Sequence, residues 1–299
     1  MKKKFSIKMS IIVTFLLITL IFLAAIPIQN IIDQSNSNDQ KTEQLNEEEQ
    51  KNELEGKEDN ENIDENTDEV DKSENNQSEI NNETAVNEIS NYKYYVNSNY
   101  YIKPLDPTVS NKVILLTFDD APQGDYTLEI LDILDKYNAK AIFFINGHYA
   151  VKHQDLVIEI HNRGHLLGNH TWWHENLKKI TPELTTEEIV KVNNLIEELT
   201  GERPVYFRPP FGVMSDYAKE VVANENMQSM NWSLGSLDWE YNKADQSDKV
   251  VEQVLSNIVP GANILMHDKQ VTAIALDQIL EELTNQGYTF VLPTEVIIN

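Results

Sequence analysis

Residues 113–145, VILLTFDDAPQGDYTLEILDILDKYNAKAIFFI, settle the fold class. Residues 113–118 are an unbroken apolar run, as expected of a strand buried on both faces. Residues 126–137 carry Leu128, Leu131, Ile133, Leu134 and Tyr137 at helical spacing, and 141–145 are a second apolar run. Strand, helix, strand is the unit of a parallel sheet, and the pattern repeats about seven times. Further helices are predicted over 154–162, 185–200, 216–224, 247–258 and 273–285, and strands over 165–168, 205–207, 228–232, 263–266 and 289–292. Thr185, with Glu188 three residues on, is the expected cap of the longest helix, and Gly201 its stop. The predicted class is α/β, an open parallel sheet or a barrel.

This domain spans residues 91–299, starting where aromatics resume at Tyr92, Tyr94 and Tyr95. Residues 33–90 contain no Phe, Trp, Tyr, Pro or Cys and carry 20 acids against four Lys. Such a segment cannot bury enough apolar area to offset its ordering entropy, so a disordered acidic tether is expected. It lacks the spacing of an EF-hand loop. Residues 1–32 hold four Lys and no acid, all four ahead of an apolar run over 11–28. Eighteen helical residues rise about 27 Å, close to a hydrocarbon core of about 30 Å. The expectation is a cytoplasmic basic stub and a transmembrane signal-anchor, with the rest of this single-pass cell-membrane protein extracellular. The rival is a cleaved signal peptide and a secreted product, but Ala24-Ala25-Ile26-Pro27 fits an A-x-A-like site poorly.

The 299 residues include 49 acidic and 24 basic ones, for a formal net charge of −25. Only 29 of the acids, against 16 bases, lie in 91–299. No Lys/Arg stripe follows the leader, which argues against a nucleic-acid partner. With no cysteine, disulfide scaffolds, thiolate metal sites and Cys nucleophiles are excluded.

Parallel α/β folds place their sites at strand carboxyl ends. The predicted strands are followed by Asp119-Asp120, by His170 and His174 in HTWWH, by RPPFG (208–212), by Asp238-Trp239 and by His267. His170 and His174 are four apart; on a helical turn both imidazoles share one face within reach of one metal ion. With a carboxylate at a neighbouring strand end, two His and one Asp make a catalytic Zn²⁺ site with an open position. The same set suits Fe(II) of the facial-triad oxygenases, which usually sit on jelly rolls, and this sequence does not read as all-β. At a strand end both Asp can face the site, one as a ligand and one acting on water. The structural alternative is a helix cap or a loop salt bridge.

TFDD (117–120), HTWWH (170–174), RPPFG (208–212), Asp238-Trp239 and Leu265-Met266-His267 resemble, in order and spacing, the five motifs of the NodB-homology polysaccharide deacetylases, carbohydrate esterase family 4. The resemblance covers about residues 111–293 and is closest to the peptidoglycan-directed members. It implies a distorted (β/α)7 barrel and a divalent metal, usually Zn²⁺. It implies Asp120, His170 and His174 as metal ligands, Asp119 as general base and His267 as general acid. By the same resemblance Arg208 pairs with Asp119, Asp238 tunes His267, the Phe211 N–H helps hold the oxyanion, and Trp239 and Leu265 line the acetyl pocket. Metal and Arg208 are expected to keep Asp119 ionised.

Three positions depart from the family pattern. Ala121 replaces a usual Gly, Phe211 a common Tyr, and Gly235 an Asp found in many members. His148, His153 and His161 read as surface residues and His165 as a structural hydrogen-bonder. Trp172 and Trp173 read as core, rim or sugar-stacking residues. The predicted activity is removal of N-acetyl groups from a cell-envelope glycan, with N-acetylglucosamine of peptidoglycan favoured. N-acetylmuramic acid is less favoured because its lactyl group is often acidic. Chitin oligomers and O-acetyl xylan are alternatives, and a non-catalytic glycan-binding module is the alternative from another class. No protein partner is predicted.

Overall fold

The computed structural model describes residues 91–241 and 243–298. The predicted anchor and tether lie outside the described residues. Among the described residues, no helix is long and apolar enough to cross a membrane.

A short antiparallel pair opens the domain, β1 (Tyr94–Val96) with β2 (Ile102–Pro104). Sequence periodicity did not predict it, because three-residue strands carry no readable alternation. It is tied to the rest by the Ile102 amide, which donates to the Gly261 carbonyl at 2.8 Å. Gly261 has φ +84, and a Cβ there would run into the Ile102 backbone.

The predicted α/β units follow: β3 (Val113–Ala121), α1 (Asp125–Lys136), β4 (Ala141–Ile145), a one-turn α2 (Gly147–Ala150), α3 (Gln154–Asn162), β5 (Leu166–Asn169) and α4 (Pro182–Thr200). Then come β6 (Tyr206–Phe207), α5 (Asp216–Asn224), β7 (Gln228–Ser229), β8 (Leu234–Gly235), α6 (Ser247–Asn257), β9 (Ala262–His267), α7 (Gln270–Asn285) and β10 (Thr289–Phe290). All strand pairs after the opening hairpin are parallel. The order across the sheet is β7-β6-β5-β4-β3-β9-β8, with β10 also on β3. β7 and β8 stand at opposite ends of that order, yet only residues 230–233 separate them. Five chain steps reach at most about 18 Å, whereas six flat strand spacings of about 4.8 Å need about 29 Å. The sheet must therefore curl, and it forms a half-barrel lined by helices.

The central strands match their apolar composition. β4 is buried at every position and β3 at all but Asp120. Phe118 and Phe143 stack at 4.9 Å between the two. Three boundaries differ from expectation in informative ways. β3 runs on through both Asp residues rather than ending at 118. The strand expected over 228–232 is only Gln228–Ser229, paired with β6, because the chain then crosses over and Leu234–Gly235 pairs with β9. The longest helix starts at Pro182 with Thr181 as its cap, whose side chain accepts from the Leu184 amide. Pro suits that first helical position because its missing N–H has no intrahelical partner there. Thr185 lies inside the helix and bonds back to the Thr181 carbonyl.

Candidate active site

Asp119 and Asp120 lie at the carboxyl end of β3, where consecutive side chains on a regular strand would point to opposite faces. The strand is not regular there. The register against β4 shifts between Phe118 and Ala121, and Asp120 adopts φ +62. Asp tolerates that left-handed conformation better than most residues. The bulge turns both carboxylates into one cleft. Because the positive φ falls on Asp120, Ala121 is under no such strain, and its replacement of Gly leaves the loop unaltered in that respect.

HTWWH is not a helical turn, contrary to expectation. It is a loop in which Thr171 (φ +66) and His174 (φ +59) are left-handed. Neighbouring elements hold it in shape. Asn146, after β4, donates to the His170 carbonyl at 2.6 Å. Asn169, ending β5, accepts from the Thr171 amide at 2.8 Å. Glu188, buried on α4, accepts from the Trp173 amide at 2.8 Å, the role that replaces its expected capping one. His170 Nδ1 lies 2.7 Å from the Arg208 carbonyl. A carbonyl can only accept, so Nδ1 carries the proton and Nε2 offers a lone pair. Burial pushes this histidine down to about 3, which keeps it neutral.

His170 Nε2 and His174 Nε2 each lie 3.8 Å from Asp120 Oδ1. One ligand atom from each residue falls within 4.8 Å of the others. These separations exceed hydrogen bonds. They lie near the roughly 3.3 Å expected between ligands of one tetrahedral ion with bonds of about 2.0–2.1 Å.

The remaining ionisable residues form two tight pairs. Arg208, fully buried, donates from Nη1 to Asp119 Oδ1 at 2.7 Å and to Thr117 Oγ1 at 2.8 Å. Its other nitrogens reach the Met230 and Asn231 carbonyls, and its guanidinium lies 4.1 Å from the Phe144 ring centroid. Burial pushes Asp119 above the ordinary carboxylate range, against the opposing pull of Arg208 and His267. In the metal-free protein, desolvation outweighs the ion pair. Burial likewise lowers Arg208.

In the second pair, Asp238 accepts from His267 Nδ1 at 2.7 Å, from the His267 amide at 2.6 Å and from Thr272 Oγ1 at 2.6 Å. Burial alone would raise Asp238, but these bonds and the His267 charge outweigh it and hold the carboxyl low. Burial alone would lower His267; the Asp238 bond and charge, with Asp119 and Asp120, raise it instead. The carboxylate fixes the proton on Nδ1 and leaves Nε2 unengaged.

A cleft of about 500 Å³ joins these groups. Asp119, Asp120, His170, His174, His267, Phe211, Trp239 and Leu265 all line it. Arg208 and Asp238 do not; they stand behind Asp119 and His267. Phe211 is left-handed (φ +59) and sets its ring edge-on to His174 at 4.8 Å. Pro209, Trp232 and Lys269 complete the wall, and motif reading predicted none of them as site residues. Trp232 was visible only as one of four Trp in the motif segments. A Cβ on Gly235 would lie 2.7 Å from the Trp239 ring, so the family's Asp at that position is incompatible with this placement of Trp239.

Asp268 was also missed. It is buried, accepts from Thr127 Oγ1 and the Gln123 amide, and is pushed up to about 7 by burial. Gln123 in turn donates to the Asp120 carbonyl at 2.8 Å. No sequence signal marks such a residue beyond its place next to His267. His165 accepts from the Ala141 amide, as the structural reading expected. His153 and His161 are half-buried and do not line the cleft; His148, also half-buried, packs against the HTWWH loop rather than lining the cleft.

Fold and site together define a parallel α/β domain in which an Asp/His/His cluster, spaced to hold one metal ion, shares a cleft with Asp119 and His267. Residues 106–230 match the family model described as polysaccharide deacetylase. A peptidoglycan-N-acetylglucosamine deacetylase of Bacillus cereus is 36% identical over 183 residues, 60% of this chain and 66% of that protein. A peptidoglycan-N-acetylmuramic acid deacetylase of Bacillus subtilis is 33% identical over 181 residues, 60% of this chain and 69% of that protein. Among solved structures, a CE4 family pseudoenzyme from Bacillus anthracis matches with a TM-score of 0.57 at 28% identity, covering 62% of this chain and 66% of the other. The chain thus spans about two thirds of the length of these proteins. It belongs to the polysaccharide deacetylase family, carbohydrate esterase family 4, among relatives that are peptidoglycan deacetylases.

Proposed function

We propose that this chain is a metal-dependent hydrolase that removes N-acetyl groups from peptidoglycan, acting on N-acetylglucosamine. The supporting observation is that Asp120, His170 and His174 share one cleft with Asp119 and His267, each of which has its partner behind it. One carboxylate and two imidazoles, His170 already in the Nε2 lone-pair tautomer, suit a divalent ion with an open position, Zn²⁺ first. Such an ion supplies Lewis acidity at the acetyl carbonyl and lowers the pKa of water.

The chain's own residues do the rest. Asp119, as general base, takes the proton of the attacking water. Arg208 fixes its position. His267, held on Nδ1 by Asp238, delivers a proton from Nε2 to the leaving amine. The Phe211 N–H stabilises the oxyanion, while Trp239 and Leu265 receive the acetyl methyl. The half-barrel is read as the distorted (β/α)7 form, with β7 and β8 as two parts of one strand position. Residues 11–28 are read as a membrane anchor and 33–90 as a tether that carries the enzyme to an extracellular cell-wall glycan.

Mass spectrometry of digested peptidoglycan, after treatment with the full chain and Zn²⁺, tests this. Loss of acetyl from N-acetylglucosamine fragments is expected. No loss from any sugar, with glycan still bound, would replace the proposal with a non-catalytic glycan-binding module. Lys269 in the cleft favours a second reading, N-acetylmuramic acid, because it offsets the repulsion of an acidic lactyl group. Acetyl loss confined to muramic fragments would establish that reading.

A further inference from the structure

The loop that carries His170 and His174 also carries two tryptophans, and the structure treats them oppositely. Trp172 packs against the core, in space that Gly147 leaves by lacking a side chain, with Lys191 Nζ 4.8 Å from its ring centroid. Trp173 is 61% exposed. It is nevertheless ordered by its surroundings. The His148 ring stacks on it at 5.2 Å and 23°. That imidazole is itself anchored, Nδ1 donating to the Trp172 carbonyl at 2.7 Å, with Tyr149 3.8 Å away. The Trp173 amide is held by Glu188. A large apolar ring is thus presented to solvent on a rigid backing.

Position gives this ring a use. Trp173 immediately precedes His174, so their Cα atoms are about 3.8 Å apart. Phe211, 63% exposed, sets its ring edge-on to His174 itself. Among the described residues the large exposed aromatics are Trp173, Phe211, Tyr217 and Trp239; Phe211 and Trp239 line the cleft, and Trp173 lies on the loop that carries His170 and His174. A pyranose ring has an apolar C–H face that an aromatic ring covers with little loss of side-chain entropy. We propose that Trp173, backed by His148, is a stacking platform for a neighbouring sugar of the glycan strand, a subsite beside the one that holds the reacting N-acetyl group. The proposal rests on the glycan reading above and adds to it a chain-length preference.

Calorimetric titration of the full, metal-free chain with a β-1,4-linked N-acetylglucosamine hexamer tests it without turnover. W173A should bind the hexamer about 10-fold more weakly than the unsubstituted chain, and W173F within about 3-fold, because a phenyl ring still stacks. H148A should fall between them. With metal added, the advantage of hexamer over dimer in kcat/KM should shrink by a similar factor in W173A, through KM rather than kcat. Equal hexamer binding by W173A and the unsubstituted chain overturns the proposal. So does a loss in W173F as large as in W173A, with circular dichroism showing both folded. Hexamer binding that depends on Trp173, in a chain that releases no acetate, would overturn the deacetylase reading and leave this one standing.

Discussion

The two halves of the cleft are built on opposite principles. In the ligand half, Asp120, His170 and His174 approach to 3.8 Å without bonding one another, on loops bent by three left-handed residues. In the other half, which the proposed reading assigns to proton transfer, Asp119–Arg208 and Asp238–His267 close at 2.7 Å in buried pairs with further bonds behind them. The first half is held by its surroundings and left open to a ligand; the second satisfies itself. Function without stability is therefore expected of one, and function coupled to stability of the other.

Replacing Asp120 gives the largest contrast. D120A should lower acetate release by at least about 10³-fold and weaken Zn²⁺ binding in a competition titration. Its carboxylate accepts no strong bond in the described residues, so urea unfolding of the metal-free chain should move by less than about 1 kcal/mol. A large destabilisation would erase the distinction between the halves. R208M should lose both: removing one partner of a buried pair costs about 3–5 kcal/mol, seen as a lower urea midpoint together with lost activity.

D238N tests how far the acid depends on its partner. His267 must be protonated to serve as an acid, so activity falls as pH rises through its pKa. Asp238 raises that pKa. D238N should therefore move the alkaline limb of the pH–rate profile to lower pH and reduce kcat by about 10²-fold. An unmoved alkaline limb in D238N would remove His267 from the acid role. The smallest effect is away from the cleft. T181A should cost about 1 kcal/mol as the loss of a helix cap, and T185A less, measured by urea unfolding.

The helix-cap pair shows where local reading stops. Thr185 and Glu188 had the right spacing for a capping box, and Gly201 ended the helix as expected. The choice between Thr181 and Thr185 went to the threonine followed by Pro182, while Glu188 was drawn away to the Trp173 amide, 15 residues upstream. HTWWH likewise showed two ligands at the right spacing and the wrong conformation for it, because the loop is shaped by Asn146, Asn169 and Glu188 from three other elements. Asp268 and Lys269 carried no pattern; only the cleft and the burial around it reveal them.

The sequence by itself determined the alternation of strands and helices, since apolar periodicity is a local property. It also determined which residue types end each strand, and thereby the ligands and acid–base groups available. Only the tertiary structure decided which atoms meet. Asp119 finds Arg208 across 89 residues and Asp238 finds His267 across 29. The left-handed turns at Asp120, Thr171 and His174 exist because long-range hydrogen bonds and packing hold them. The free energy that stabilises such conformations comes from contacts made only when the sheet has curled, and no window of local sequence contains them.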